Sequence, residues 1–140
     1  EIDLENYIKK IQIESRIIGD LSHNHIIPTA IRYQNTLVEN VKGLKEVLDM
    51  KTFVKLSNSQ MQNIKEISEH ISIVRQLVAD MIDKRKIANK IEDSAEKARL
   101  YNQEVLPFFE KIRYHVDKLE LLVDDELWPL PKYRELLFIK

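Results

Sequence analysis

Four histidines offer the widest range of possible chemistry in this sequence, which contains no cysteine. A carboxylate-bridged di-metal site in a helical bundle uses a glutamate three residues before a histidine on each of two helices. His70 and His115 have isoleucine at that position, and only His23 has an acid there, Asp20. One such pair is expected by chance in a chain with 32% charged residues. We therefore predict that the chain holds no metal-binding residue.

The spacing of the histidines also favours structural roles. On a helix, His23 and His25 point about 200° apart, so they would chelate one ion poorly unless the backbone is broken at Pro28. His115 falls on the apolar face of a predicted helix, with no serine, cysteine or pair of acids patterned beside it. We interpret His115 as a packed histidine bonded to a neighbouring hydroxyl or carbonyl.

The sequence lacks the parts of a nucleotide site. Its two glycines are isolated, so no glycine-rich phosphate-binding loop can be built from them. Lys84, Arg85 and Lys86 form a short basic cluster that Asp80 and Asp83 balance, which indicates a solvated face. We predict no catalytic residue and no cofactor-binding residue in this chain.

Composition points to one helical domain. Hydrophobic side chains make up 44% of the 140 residues and glycine occurs twice, which favours an all-α class over a β-rich or disordered one. The net charge of −1 gives no electrostatic basis for binding nucleic acid or a membrane surface. No apolar run of about 18 residues occurs, so no membrane span is predicted. The chain begins at Glu1 inside an amphipathic run, and we expect it to be a fragment of a longer protein.

Apolar residues recur at alternating spacings of three and four along most of the chain, as on one face of an α-helix. This repeat predicts three long helices. The first covers residues 2–48 and is kinked near Pro28, because proline lacks an N–H and disfavours the helical conformation in the residue before it. The second covers residues 57–91, and the third begins after a break near residues 92–94.

The predicted buried faces follow from the same repeat. On the second helix the face consists of Ile64, Ile67, Ile71, Val74, Val78, Met81 and Ala88. On the third helix it consists of Ala98, Tyr101, Val105, Phe108, Ile112, His115, Leu119 and Leu122. Since short connections place consecutive helices side by side, we predict an antiparallel bundle of three long helices over residues 1–126. Gly43 costs about 1 kcal/mol relative to alanine in a helix, so we expect close helix packing there.

Residues 127–140 form the second predicted unit, an irregular, proline-containing tail. This segment holds the only tryptophan of the chain and two of its four prolines. Such a density of apolar anchors is unfavourable in water unless the tail docks on the bundle or on a neighbouring domain. The predicted interface residues are Trp128, Leu130, Tyr133, Leu137 and Phe138.

Four stretches resemble the C-terminal region of type III glutamine synthetase. They are residues 14–20 (ESRIIGD), 24–35 (NHIIPTAIRYQN), 112–120 (IRYHVDKLE) and 128–131 (WPLP). The resemblance spans about residues 4–138. It implies a large, cytoplasmic, bacterial homo-oligomeric enzyme that joins ammonia to glutamate at the expense of ATP, with divalent metal ions such as magnesium.

The resemblance also implies where the chemistry lies. In that family the metal-binding and nucleotide-binding groups belong to a catalytic domain upstream, and no stretch of this sequence matches those motifs. The chain would then be a non-catalytic helical module that packs against its own catalytic domain and neighbouring subunits. The residues alone leave open an alternative, a free-standing helical adaptor or sensor that binds a partner helix.

Overall fold

The computed structural model describes residues 3–123, and every regular element in that range is helical. Four helices follow one another along the chain. The first, α1, comprises Leu4–Leu21, a π-helical turn Ser22–Ile26, and Ile27–Val47. Helix α2 is Met50–Leu56, and α3 is Asn58–Asn89. Helix α4 comprises Ser94–Leu100, a second π-helical turn Tyr101–Val105, and Pro107–Leu122.

The prediction of three long helices in an antiparallel bundle is wrong, because the described part of the chain contains four helices. The additional helix, α2, lies in the segment predicted to be a connection. Asp49 caps it: the carboxylate accepts hydrogen bonds from the Thr52 N–H (2.9 Å) and the Thr52 hydroxyl (2.8 Å). The backbone hydrogen bond from Thr52 lowers the pKa of Asp49 from its ordinary value. A capped turn therefore folds where the apolar repeat gives only a weak signal.

Helix α1 continues through Pro28 instead of breaking there. The Ile27 N–H donates to the Ser22 carbonyl, a span of five residues where a regular helix has four. Proline has no N–H, and in a regular helix its ring clashes with the carbonyl four residues earlier. The widened π-helical turn makes room for the ring, and the Thr29 hydroxyl donates to the His25 carbonyl (2.8 Å).

Helix α4 accommodates Pro107 in the same way. The Leu106 N–H donates to the Tyr101 carbonyl (2.9 Å), again five residues earlier. Each internal proline of the described helices thus lies two residues after the end of a π-helical turn. The extra residue in the turn changes which side chains of α4 face the interior.

The buried face of α4 differs from the prediction beyond this turn. Its buried apolar residues are Ala98, Tyr101, Val105, Phe109, Ile112, Val116, Leu119 and Val123. Three predicted positions, Phe108, His115 and Leu122, are only partly buried. Across the widened turn the core takes two successive steps of four, from Tyr101 to Val105 to Phe109, where the repeat predicted a step of three after Val105. The buried face is turned slightly there, so the prediction of Phe108, His115 and Leu122 as core is wrong, whereas Ile112 and Leu119 are buried as predicted.

Helix α3 packs against both α1 and α4. The predicted buried face is confirmed at Ile67, Ile71, Val74, Val78, Met81 and Ala88, whereas Ile64 is partly buried. Gln34 of α1 donates to the Ile64 carbonyl (2.9 Å) and to the Ser68 hydroxyl (2.6 Å). Farther along, Gln60 of α3 donates to the side-chain oxygen of Asn40 (3.2 Å). These bonds fix the register of the second half of α1 on α3.

The predicted break before the last helix is confirmed. Asp93 accepts a hydrogen bond from the Glu96 N–H (2.9 Å) and caps the first turn of α4. Between residues 3 and 123, no helix combines the length and apolar character that a bilayer crossing requires. The predicted division into residues 1–126 and 127–140 stays a prediction, since residues 124–140 lie outside the described range.

The expectation of close packing at Gly43 is wrong. Gly43 is exposed, and a Cβ atom built on it meets nothing within 4 Å. Its backbone is helical with a negative φ, so alanine fits without strain.

We therefore expect Gly43→Ala to raise the free energy of unfolding by about 0.5–1 kcal/mol, because alanine loses less backbone entropy than glycine on forming a helix. Urea unfolding followed by circular dichroism measures the change. Gly19→Ala makes the same change on the same helix at a packed position, where the added Cβ would lie 3.7 Å from Val78 Cγ1, in van der Waals contact. A lower free energy of unfolding for Gly43→Ala would contradict this expectation, because helix propensity alone favours alanine at this exposed position.

Candidate functional site

The π-helical turn of α4 carries a fully buried tyrosine, Tyr101, whose hydroxyl joins three helices. Gln12 of α1 donates from Nε2 to the Tyr101 hydroxyl (3.0 Å) and to Asn89 Oδ1 of α3 (3.0 Å). The Tyr101 hydroxyl donates in turn to the same Asn89 oxygen. Because the hydroxyl both accepts and donates, its role is to align α1, α3 and α4.

A second polar contact lies one turn along α1. Ser15 is buried; its hydroxyl donates to the Gln12 carbonyl (2.9 Å) and accepts from Arg85 Nη1 (3.1 Å). The predicted solvated face is thus wrong for Arg85, whose guanidinium reaches the contact between α1 and α3. The Arg85 guanidinium thus supplies a hydrogen-bond donor to the buried Ser15 hydroxyl.

His70 of α3 and His115 of α4 form a pair across the contact between those helices. Their Nδ1 atoms lie 2.9 Å apart, and the ring centroids lie 5.2 Å apart. The ring of Tyr114 meets the His115 ring edge-on, with centroids 5.0 Å apart. His115 is only partly buried, and its partner is another imidazole in place of the predicted hydroxyl or carbonyl. Sequence reasoning missed this pairing.

Burial controls the titration of both histidines. Burial lowers the pKa of His70, and the positive charge of Lys118 lowers it further, while Glu66 and then Glu69 oppose the shift. Burial also lowers the pKa of His115, and His70 adds to that effect. Both rings therefore resist protonation more than a free imidazole does.

The other two histidines stand apart from this pair. His23 and His25 lie on the π-helical turn of α1, and both are exposed. Among residues 3–123 no group of three or more histidine, cysteine, aspartate or glutamate side chains is arranged to hold a metal ion. The predicted absence of metal-binding residues remains a prediction for the chain as a whole.

A groove of about 420 Å³ lies between α1 and α3. Its lining is largely polar and includes Gln34, Ser68, Ser72 and Arg75. Gln34 and Ser68 already bond to each other there. The groove brings together no pair of acid and base side chains, so its geometry indicates no reaction.

Exposed apolar side chains gather at the junction of α1, α2 and α3. They are Val47, Met50, Val54, Leu56 and Met61, which we call the α2 corner. Val47 is 76% exposed, and Met50 and Val54 are each 61% exposed. Large apolar patches on a protein surface mark interaction sites, so the α2 corner is a candidate contact surface.

The predicted interface residues Trp128, Leu130, Tyr133, Leu137 and Phe138 all lie outside the described residues. Their role in docking therefore remains a prediction. Sequence reasoning did not single out the α2 corner, although Met50 and Val54 are spaced one helical turn apart in a short segment flanked by polar residues.

Removal of the Tyr101 hydroxyl tests the interior polar network. We expect Tyr101→Phe to lower the free energy of unfolding by about 1 kcal/mol, because one buried hydrogen-bond group is lost while Gln12 and Asn89 still bond to each other. Chemical denaturation of the chain measures this change.

Tyr7→Phe is the matched control. The Tyr7 hydroxyl accepts a hydrogen bond from Asn102 Nδ2 (2.6 Å) at an exposed position, so its loss should change stability by less than about 0.5 kcal/mol. Equal effects of the two substitutions would contradict the structural role assigned to Tyr101.

Comparison with known proteins relates the chain to one enzyme family. A family model described as glutamine synthetase C-terminal domain matches residues 1–45. A glutamine synthetase of Bacteroides fragilis is 50% identical over 140 residues, which is 100% of this chain and 19% of that protein. The type-3 glutamine synthetase of Dictyostelium discoideum is 27% identical over 140 residues, with the same two coverages.

A third relative, a glutamine synthetase of Butyrivibrio fibrisolvens, is 24% identical over 138 residues, covering 99% of this chain and 19% of that protein. The chain thus spans about a fifth of the length of the curated relatives that it matches. The family model describes a C-terminal domain and the type-3 enzyme matches along the whole chain, so the predicted resemblance is confirmed: this sequence is similar to the C-terminal region of type III glutamine synthetases.

Proposed function

We propose that this chain is a non-catalytic helical module of a type III glutamine synthetase, which packs against the catalytic domain or a neighbouring subunit of the same enzyme. The parent enzyme would join ammonia to glutamate with the use of ATP and magnesium, and the residues that bind them would lie elsewhere in the longer protein. The proposal is carried by the α2 corner, where five large apolar side chains are exposed within a short stretch of chain.

The interior supports this proposal, because its polar side chains are used to hold the helices together. Tyr101, Gln12 and Asn89 bond to one another, and Ser15 bonds to Arg85. These side chains align the helices, and their hydrogen-bonding groups are used within the protein and not for a substrate. What the module presents outward at the α2 corner is apolar.

Energetics favour a protein partner for that corner. Burial of apolar surface contributes about 25 cal/mol for each Å² removed from water, so several large side chains buried together contribute several kcal/mol. In protein interfaces a few central residues account for most of the binding free energy. Met50 and Val54 lie one turn apart on the same face of α2, which makes them the centre of the proposed contact.

The remaining part of the parent enzyme is the partner that the comparisons favour. All three relatives are several times longer than the chain, so in them the matching stretch is joined to a much larger protein. This favours an appended module over a free-standing adaptor. We propose that Trp128, Leu130, Tyr133, Leu137 and Phe138 add a second set of contacts with the same partner.

The contact can be tested in the intact enzyme that contains this chain. We expect the double substitution Met50→Lys, Val54→Lys to reduce the oligomer mass in solution or lower the Tm, because it places two charges in the proposed apolar interface. Mass photometry and thermal unfolding measure the two quantities. In the isolated 140-residue chain the same substitutions should change the free energy of unfolding by only about 0.5 kcal/mol for each exposed site.

Ile87→Lys provides a matched control, because Ile87 is 54% exposed on α3, away from the corner. It adds charge to a comparable apolar site and should leave mass and Tm unchanged. Unchanged assembly and Tm in the Met50→Lys, Val54→Lys enzyme would refute the α2 corner as a contact. Trp128→Ala with Phe138→Ala tests the tail by the same two measurements.

The non-catalytic part of the proposal has its own test. We expect the purified chain to form no glutamine from glutamate, ammonia and ATP in the presence of magnesium, while the intact enzyme does so in the same assay. Glutamine formation by the chain alone, above a blank without protein, would overturn the assignment.

A further inference from the structure

The contact between α3 and α4 contains two histidines that share a single hydrogen bond. The Nδ1 atoms of His70 and His115 lie 2.9 Å apart, within the usual range for a bond between two nitrogen atoms. A neutral imidazole carries one proton, on either Nδ1 or Nε2. The bond forms only if one ring carries its proton on Nδ1 and the other leaves Nδ1 bare. The pair therefore holds one proton between its two facing nitrogens.

The proton content of the pair determines whether the two rings attract or repel each other. A first added proton can go to the bare outer nitrogen, Nε2, of the ring that donates the shared bond, which makes that bond charge-assisted. A second added proton places an N–H on both facing nitrogens, so two positive rings then meet at 2.9 Å without an acceptor. Two sites this close titrate as a coupled pair in two separated steps.

We propose that His70 and His115 form a proton-sharing latch, a pH-sensitive contact that holds the second half of α4 on α3 and is released when both rings become protonated. The latch is independent of the proposed assembly role, because it depends only on contacts within residues 3–123.

The surroundings of the latch set its sensitivity. On α3, Glu66 and Glu69 favour the protonated form of His70, and on α4, Lys118 disfavours it. The same three side chains line a cleft of about 400 Å³ beside His70, which gives water access to the pair. For His115, the charge that disfavours protonation is that of His70. No charged side chain of α1 within the described range contributes to either shift.

The direction of the pH effect follows from these shifts. Burial lowers the pKa of both rings below the value of about 6.5 that a histidine has in an unfolded chain. A group with a lowered pKa in the folded state binds protons more weakly there than in the unfolded state. The stabilisation is therefore complete above about pH 6.5 and is lost as the pH falls through the folded-state pKa values.

The position of the latch gives this loss a local consequence. Ile67 and Ile112, each three residues before its histidine, are buried in the core between α3 and α4. On the second half of α4, Leu121 is exposed and the helix ends at Leu122. Release removes this contact from the second half of α4, which then depends on the buried side chains of Val116 and Leu119 to stay on α3.

Two measurements on the 140-residue chain test the latch. Nitrogen-15 NMR of the imidazole rings should show opposite tautomers for His70 and His115 at neutral pH and two separated titration steps, both below the value of about 6.5 for a histidine in an unfolded chain. Thermal unfolding should give a Tm that falls by about 3 °C or more between about pH 7.5 and 5.5, relative to the His70→Gln, His115→Gln variant over the same interval.

A matched variant and a metal test complete the design. His23→Gln with His25→Gln removes two exposed histidines and should keep the full pH dependence of the Tm. Titration of His70 and His115 in a single step at about pH 6.5, as for a histidine in an unfolded chain, would overturn the proposal, and this measurement needs no variant. A Tm that zinc raises in the unmodified chain but not in the His70→Gln variant would also overturn it, because the pair would then be a metal chelate.

Discussion

Each long helix that contains an internal proline widens by one residue just before it, and much of the structure depends on this accommodation. Proline cannot donate to the backbone ladder and needs space where the carbonyl of the preceding turn would lie. The five-residue hydrogen bonds from Ile27 and Leu106 provide that space in α1 and α4. The chain thereby keeps two continuous helices, and Tyr101 is carried into the interior on the second widened turn.

The widened turn of α4 also determines which side chains meet α3. Beyond it the buried stripe passes through Phe109, Val116 and Val123. His115 is consequently left at the edge of the core, half-buried, where it can reach His70. The imidazole pair thus forms on the part of α4 that follows the widened turn and Pro107, between the buried residues Ile112 and Leu119.

The parts of the fold that were predictable are those that a regular repeat controls. The buried stripe of α3 runs through an uninterrupted helix, and the spacing identified it from Ile67 to Ala88. The short helix α2 was missed because seven residues are too few to establish a period, although Asp49 followed by Thr52 is a cap signal. The shift within α4 could not be read from the sequence, because a widened turn changes the phase of the repeat without changing residue types.

The histidine pair was missed for a related reason. Each histidine was judged within its own helix, where a single imidazole beside apolar residues indicates packing. The available signal was that both follow an isoleucine by three residues, Ile67 and Ile112, and that both isoleucines belong to predicted buried faces of consecutive helices. Equivalent positions on facing helices lie at equal depth, so they can meet. Pairing of this kind depends on the position of one helix along the axis of the other. The widened turn and the Tyr101 network fix that position, and the residue pattern of a single helix does not indicate it.

The contrast between interior and surface gives the best account of what the module does. Inside, amide, hydroxyl and guanidinium groups from three helices satisfy one another, as at Gln12, Asn89 and Tyr101. At the α2 corner, by contrast, methionine, valine and leucine side chains face outward although the core is large enough to hold nineteen buried apolar residues. Exposed apolar side chains also occur elsewhere on the described helices, as at Ile13 and Ile17, so the proposed contact rests on the succession of five of them over the end of α1, α2 and the start of α3.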